Sequence, residues 1–189
     1  MQAVAPAQTG APSLDELATH ELAIERYRFE DDGLVPNSLL PLVLMRRAVE
    51  PDARDPAAAF ERVFERNGWR GTWRNGIFRY HHYHPNTHEV LGIASGEAAV
   101  RFGGEVGQTV EVGPGDVVVI PAGVGHKLID KQGQLVVVGA YPDGEEPHTL
   151  REEAGLVVTA RRQIAAVPLP GTDPVAGRNG ALCRLWKAA

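Results

Sequence analysis

The 189-residue chain has one cysteine, Cys183, so no internal disulfide can form and no zinc ribbon finds its thiolate partners. It also has no run of ~20 apolar residues, which removes a membrane-spanning helix from consideration. The opening MQAVAPAQTGAPSLDEL has neither a basic start nor an apolar stretch, so no secretory signal is expected there. Positive charge is in short supply. Nineteen Lys and Arg stand against 24 Asp and Glu, a formal net charge of -5, whereas nucleic-acid partners normally require a basic surface. Nothing reads as a second core or an internal repeat. These absences lead to the expectation of a cytoplasmic, reducing setting, with Cys183 as a small buried hydrophobe beside Leu182 and Leu185.

Turn formers are abundant. With 21 Gly, 14 Pro and 43% hydrophobic residues, the composition favours a β-rich globular domain over a helical bundle or a disordered chain. A disordered tail is expected over residues 1–20 and a single domain over residues 21–189. The first extended stretches are Ile24–Phe29 and Leu39–Met45, the latter interrupted at Pro41 as in an edge strand or a strand start. One short helix is expected, Pro56 to Arg66. Asp55 can cap it, Pro56 suits its first turn, and Phe60, Val63 and Phe64 share a face. Short strands follow at Ile77–His84, Glu89–Ser95, Ala98–Phe102, Thr109–Val112, Val117–Ile120, Lys127–Asp130 and Leu135–Tyr141, separated by Gly, Pro, Asn and Asp. Such spacing indicates a sandwich, jelly roll or barrel. After Tyr141 the sequence reads as an extended C-terminal tail.

Four of the seven histidines lie in HHYHPNTHE, residues 81–89. Alternate residues of a strand share a face, so His82 and His84 point together, and His81 and Tyr83 point the other way. Pro85-Asn86 breaks that strand, and Glu89 opens the next with Leu91 and Ile93 on its own face. Further on, Pro121-Ala122-Gly123 turns the chain and His126 begins another strand. Three imidazoles and one carboxylate form a ligand set that suits first-row divalent metals.

These residues carry a resemblance to the cupin superfamily. Its first motif, a glycine, five residues, His-x-His, a short spacer, Glu, six residues and a glycine, is matched by Gly76, His82, His84, Glu89 and Gly96. Its second is matched by Gly115, Pro121, Gly123 and His126, with Asp130 where the family usually has Asn. The motif core runs from 76 to 130. Within the superfamily, NGWRGTWRNGIFRYHHYHPNTHEVLGIASG and GDVVVIPAGVGH resemble the YjlB-like single-domain cupins, and DDGLVPNSLLP and VPLPGTDPVAGRNGAL extend that likeness. The resemblance implies an all-β jelly roll (a double-stranded β-helix) that holds one divalent metal, Fe, Mn, Ni, Co, Cu or Zn, through His82, His84, Glu89 and His126. It also implies a homodimer.

Four protein ligands on an ion that prefers six would leave two positions for a bidentate oxygen ligand. Cupins with this ligand set include dioxygenases, oxalate oxidases or decarboxylases, and sugar or keto-acid isomerases, and fold alone does not choose among them. Three readings follow: a metal-dependent enzyme on a small oxygen-rich metabolite, a non-catalytic binding or sensing protein, and a structural or storage protein. A barrel filled by large side chains would favour the third. Around the four ligands, Tyr80 and Phe78 are candidates for lining the pocket. His81 and His88 are expected outside the ligand set, in outward, subunit-contact or ligand-supporting roles. Arg79 and Arg101 could pair with a substrate carboxylate, although Arg79 shares the parity of His81 and is expected to face away. Trp69, Trp73 and Trp186 read as core or interface aromatics, and Glu145-Glu146 as a solvated loop.

Overall fold

The structure, a computed structural model, describes residues 22–189; the tail expected over residues 1–20 lies outside the described residues. Alternation sorts the strands onto two faces. In β2 (Leu42–Met45), Val43 and Met45 join one hydrophobic cluster while Leu42 and Leu44 join another. In β7 (Val117–Ile120), Val117 and Val119 separate from Val118 and Ile120 in the same way. Side chains alternate at period two, so a strand that is apolar throughout can feed two cores. The inner cluster holds Leu91, Ile93, Val100, Phe102 and Val137. The outer one holds Val90, Val138 and Ala140 under the helix α1 (Pro56–Arg66).

Among the described residues, seven further strands join the sheet: β1 (Ile24–Tyr27), β3 (Trp69–Asn75), β4 (His82–Tyr83), β5 (Glu89–Phe102), β6 (Gln108–Val112), β8 (His126–Pro142) and β9 (Leu150–Arg151). Every pairing is antiparallel, in the order β1-β2-β7-β5-β8-β4-β9, with β3 also on β8 and β6 also on β5. β5 and β8 each join two expected strands into one. Register shifts between Ile93 and Glu97 let β5 bend without leaving its ladder. Its first part then pairs with β7 and its last with β6. This curled sheet is the jelly roll expected from the sequence.

Helix α1 has the predicted bounds, and the Asp55 carboxylate accepts from the Ala58 amide at 3.3 Å. Phe60 lies against the backbone of β5 at Gly92, where an added Cβ would come within 2.2 Å of the ring; only glycine lets the helix approach so closely.

Two segments depart from expectation. The strand expected over Ile77–His84 is reduced to β4, and Trp69–Asn75, not expected as a strand, pairs with β8 instead. β8 still reaches this stretch, with the Leu128 amide donating to the Phe78 carbonyl at 2.8 Å, but it forms its continuous ladder with β5, where Asp130–Gln132 pair with Ala99–Glu97. The C-terminal tail is also not all loop. It holds α2 (Ala154–Ala166) and α3 (Ala181–Lys187), giving three helices among the described residues where one was expected. Neither has a side-chain cap, so the usual start signal is missing. Packing stabilises them. Leu182 and Trp186 enter the outer cluster, Trp186 donates to the Pro41 carbonyl at 2.8 Å, and Ala160 and Ile164 lie against Val35 and Tyr83.

Candidate metal centre

β4 and β8 set His82 directly across from His126, with ring centroids 4.0 Å apart. His84, two residues beyond His82, keeps the same side of the chain. The ring nitrogens that these three buried histidines offer all lie within 4.8 Å of one another. Glu89, the first residue of β5, brings Oε2 to 3.4 Å from His126 Nε2 and 3.5 Å from His84 Nε2. That oxygen is buried and has no hydrogen-bond partner.

The outer nitrogens are held by backbone. His82 Nδ1 faces the Tyr80 carbonyl at 3.3 Å, His84 Nδ1 the His148 carbonyl at 3.0 Å and His126 Nδ1 the Val124 carbonyl at 3.3 Å. A proton on each Nδ1 satisfies those carbonyls and leaves three Nε2 lone pairs for the centre. Burial, with His126 nearby, pushes the His82 imidazole down to about 2, so that ring is neutral. Burial opposes charge on His84 as well, but the Glu89 carboxylate and the His148 carbonyl leave it raised. Burial likewise pushes the Glu89 carboxyl up, and His84 and His126 outweigh it and hold the group below the usual carboxylate range. An ionised oxygen with no donor of its own, set among imidazole lone pairs, fits a divalent transition metal in its donor chemistry.

Several residues that support this arrangement were not picked out from the sequence. The Tyr141 hydroxyl donates to Glu89 Oε1 at 2.9 Å and accepts from Trp73 Nε1 at 2.9 Å. Register explains the contact. Val90 pairs with Ala140 and Leu91 with Gly139, so the next step sets Tyr141 across from Glu89, and Trp73 lies opposite Gly139. A Cβ at Gly139 would fall 2.1 Å from the Trp73 ring, so this glycine makes room for the indole. Trp73 is therefore part of the support of the site as well as a packing residue. Asn86, read as a turn residue, accepts from the His148 amide at 2.8 Å and donates to the Glu146 carbonyl at 2.9 Å. It thereby pins the strap that carries His148 and Thr149 beside His84. A Pro-Asn turn signal contains nothing that foretells a partner 60 residues away.

The remaining candidates fall around the site. Phe78, half-exposed, lines the cavity above the histidines, and Tyr80 stacks on it at 4.9 Å, outside the lining. His81 does not face outward but is buried close to Glu105, with Nε2 3.6 Å from a carboxylate oxygen, and burial pushes it down to about 4. His88 accepts from the Ala122 amide at 2.9 Å and packs on Trp186, so it braces the turn before His126. Arg79 is exposed and Arg101 turns to Glu105 and Thr109, so neither lines the cavity. Trp69 and Trp186 are core residues, as expected, and Glu145 is exposed.

Residues 75–139 match the family described as Cupin domain. The uncharacterized protein YjlB of Bacillus subtilis (strain 168) is 40% identical over 167 residues, covering 88% of this chain and 98% of that protein. Among solved structures, an oxalate decarboxylase is 23% identical with a TM-score of 0.33, over 59% of this chain and 23% of that one. Procruciferin, an 11S globulin from Brassica napus, is 15% identical with a TM-score of 0.36, over 51% of this chain and 30% of that one. This chain thus spans less than a third of either structure, and overlaps of that depth decide nothing about chemistry. No helix among the described residues is long and apolar enough to cross a membrane.

Proposed function

The chain belongs to the YjlB-like cupins, and from that membership and the geometry of its histidine cluster we propose that it is a metal-dependent enzyme acting on a small metabolite that binds through oxygen. One divalent transition metal would be held by His82, His84, Glu89 and His126. The observation that carries this reading is the buried, unpartnered Glu89 Oε2 among imidazoles whose Nδ1 atoms are all engaged by carbonyls. Bound there, the metal would supply a Lewis acid that stabilises negative charge on a chelating oxygen ligand. The protein's own part is to orient. The backbone carbonyls set the imidazoles, Tyr141 holds the second carboxylate oxygen, and Phe78, Ile77 and Leu91 limit water. A cavity of about 240 Å³ opens over the cluster, which disfavours a storage role that needs no such space. A dioxygenase or a decarboxylase or isomerase activity is consistent with this arrangement.

Anaerobic loading with Fe, Mn, Ni, Co, Cu or Zn, metal analysis and a substrate panel test the proposal. Retention of one metal per chain with turnover supports it. Retention and tight ligand binding without turnover for any metal favour a binding or sensing role, and no retention of any metal removes the reading.

Replacing Tyr141 by Phe should weaken metal retention by ~10–100-fold, the usual cost of losing a group that supports a ligand. Glu89 Oε1 loses its donor and the Trp73 indole its acceptor. Competition with a chromophoric chelator measures this, and an unchanged affinity would show that Tyr141 only packs. We further propose that residues 21–189 act as one domain, in a reducing cytoplasmic setting consistent with the single cysteine, and as a homodimer. A single monomeric peak in light scattering would remove the dimer.

A further inference from the structure

The walls of the cavity narrow the class of ligand. Above the histidines stand Trp73, Ile77, Phe78 and Leu91, all apolar in the surface they present. The Trp73 and Tyr141 polar groups are committed, whereas the Asn75 NH2 group and the Thr149 hydroxyl proton, both on exposed residues, are the donors left free in the described lining. The Trp73 indole donates to Tyr141, the Tyr141 hydroxyl donates to Glu89, Thr149 Oγ1 lies 3.5 Å from His84 Nδ1, and Asn75 Oδ1 accepts from the Gly76 amide. No Lys or Arg lines the cavity among the described residues, and residues 1–21 contain neither. The Arg151 guanidinium sits 3.8 Å over the Tyr80 ring, on a residue outside the lining.

Charge sets the consequence. A divalent ion with the Glu89 carboxylate carries one net positive charge, which a monoanionic ligand neutralises. A dianion would leave an uncompensated negative charge in a mostly apolar cavity, and a polyhydroxylated ligand would leave several hydroxyls without partners.

We infer that the cavity takes a one-headed chelator: a compact molecule with an apolar body and a single oxygen pair at one end, bearing at most one negative charge. An enolised β-diketone and a ring 1,2-diol are of this kind; dicarboxylates and sugars are not. The inference rests on the proposed metal centre and restricts the oxygen-rich character expected from the sequence to one end of the ligand.

The test uses full-length protein loaded with Co(II), its cobalt content measured before and after each titration. 2,4-Pentanedione, catechol, oxalate and malonate are titrated in turn, read by the visible cobalt bands and by calorimetry, so that the outcome does not depend on turnover. 2,4-Pentanedione and catechol should bind at least about tenfold more tightly than oxalate or malonate, because the unpaired charge of a dianion has no partner in the cavity. Charge alone makes a doubly charged ion favour the dianions in water, so the reversed order has to come from the walls. Phe78→Arg, at a half-exposed position that tolerates a long side chain, should raise oxalate affinity by about tenfold by supplying the missing cation. Oxalate or malonate binding as tightly as 2,4-pentanedione to the cobalt-loaded protein overturns the inference. So does the absence of any response to 2,4-pentanedione and catechol, or a Phe78→Arg protein with no gain for oxalate. Failure to bind cobalt is separate: the same titrations are then read by calorimetry with whichever of Fe, Mn, Ni, Cu or Zn the protein retains, and retention of none overturns the metal reading itself.

Discussion

Replacing His84 by alanine is expected to lower metal affinity by about 100-fold or more, the largest effect of any single substitution at the centre. A structural zinc centre with four ligands is worth ~10–16 kcal/mol, so one ligand averages about 3 kcal/mol, or about two decades of affinity. Three contacts make His84 costly to lose. Its Nε2 is one of the two imidazole nitrogens within 3.5 Å of Glu89 Oε2, its Nδ1 is held by the His148 carbonyl, and Thr149 lies beside it. Removing the ring leaves the Glu89 oxygen with His126 alone and takes from the His148 carbonyl its contact with the site, while Asn86 still holds the strap. Competition with a chelator of known affinity gives the number, and far-UV circular dichroism shows whether the fold is retained. An unchanged metal content would remove His84 from the ligand set.

The second large effect concerns stability and lies away from the centre. Phe60→Ala should cost ~3–5 kcal/mol, the usual range for deleting a fully buried phenylalanine. The ring has no solvent exposure, meets Phe64 edge-on at 6.0 Å and covers the backbone of β5 at Gly92. No other side chain can collapse onto a strand at a glycine without moving the helix, so the cavity should persist. For a chain of this size the melting temperature should fall by on the order of 10 °C. The partner substitution sharpens the test. Gly92→Ala should be severely destabilising in the native background and much less so in Phe60→Ala, because the ring that its Cβ would strike has gone. Equal costs in both backgrounds, from urea midpoints, would show that Phe60 does not lie on Gly92.

Legibility varied along the chain with the range of the interactions involved. Helix α1 was readable to the residue because its cap, its proline and its apolar face all lie in one short stretch, Asp55 to Phe64. α2 was not, since it lacks a cap and its contacts with Val35 and Tyr83 come from distant parts of the chain. The joining of Glu89–Ser95 with Ala98–Phe102 was hidden by Ser95-Gly96, which reads as a turn but serves as a bulge once β8 lies alongside. His81 shows the limit of strand parity. Its direction opposite to His82 was readable, but its burial depended on what lay on that side, near Glu105 and Lys127.

By itself, the sequence determined a β-rich class and the grouping of His82, His84, Glu89 and His126, which depend on alternation and spacing within one stretch of chain. Its motifs carried the resemblance that implied the jelly roll and the family. Only the tertiary structure decided what surrounds that group. Tyr141 reaches Glu89 through the pairing of β5 with β8, Trp73 reaches Tyr141 through the glycine that thins β8, and His148 reaches His84 on a strap pinned by Asn86. It also left the cavity above them without a Lys or Arg among the described residues. Residues that lie 50 or more positions apart meet through register and close packing, which no local pattern encodes.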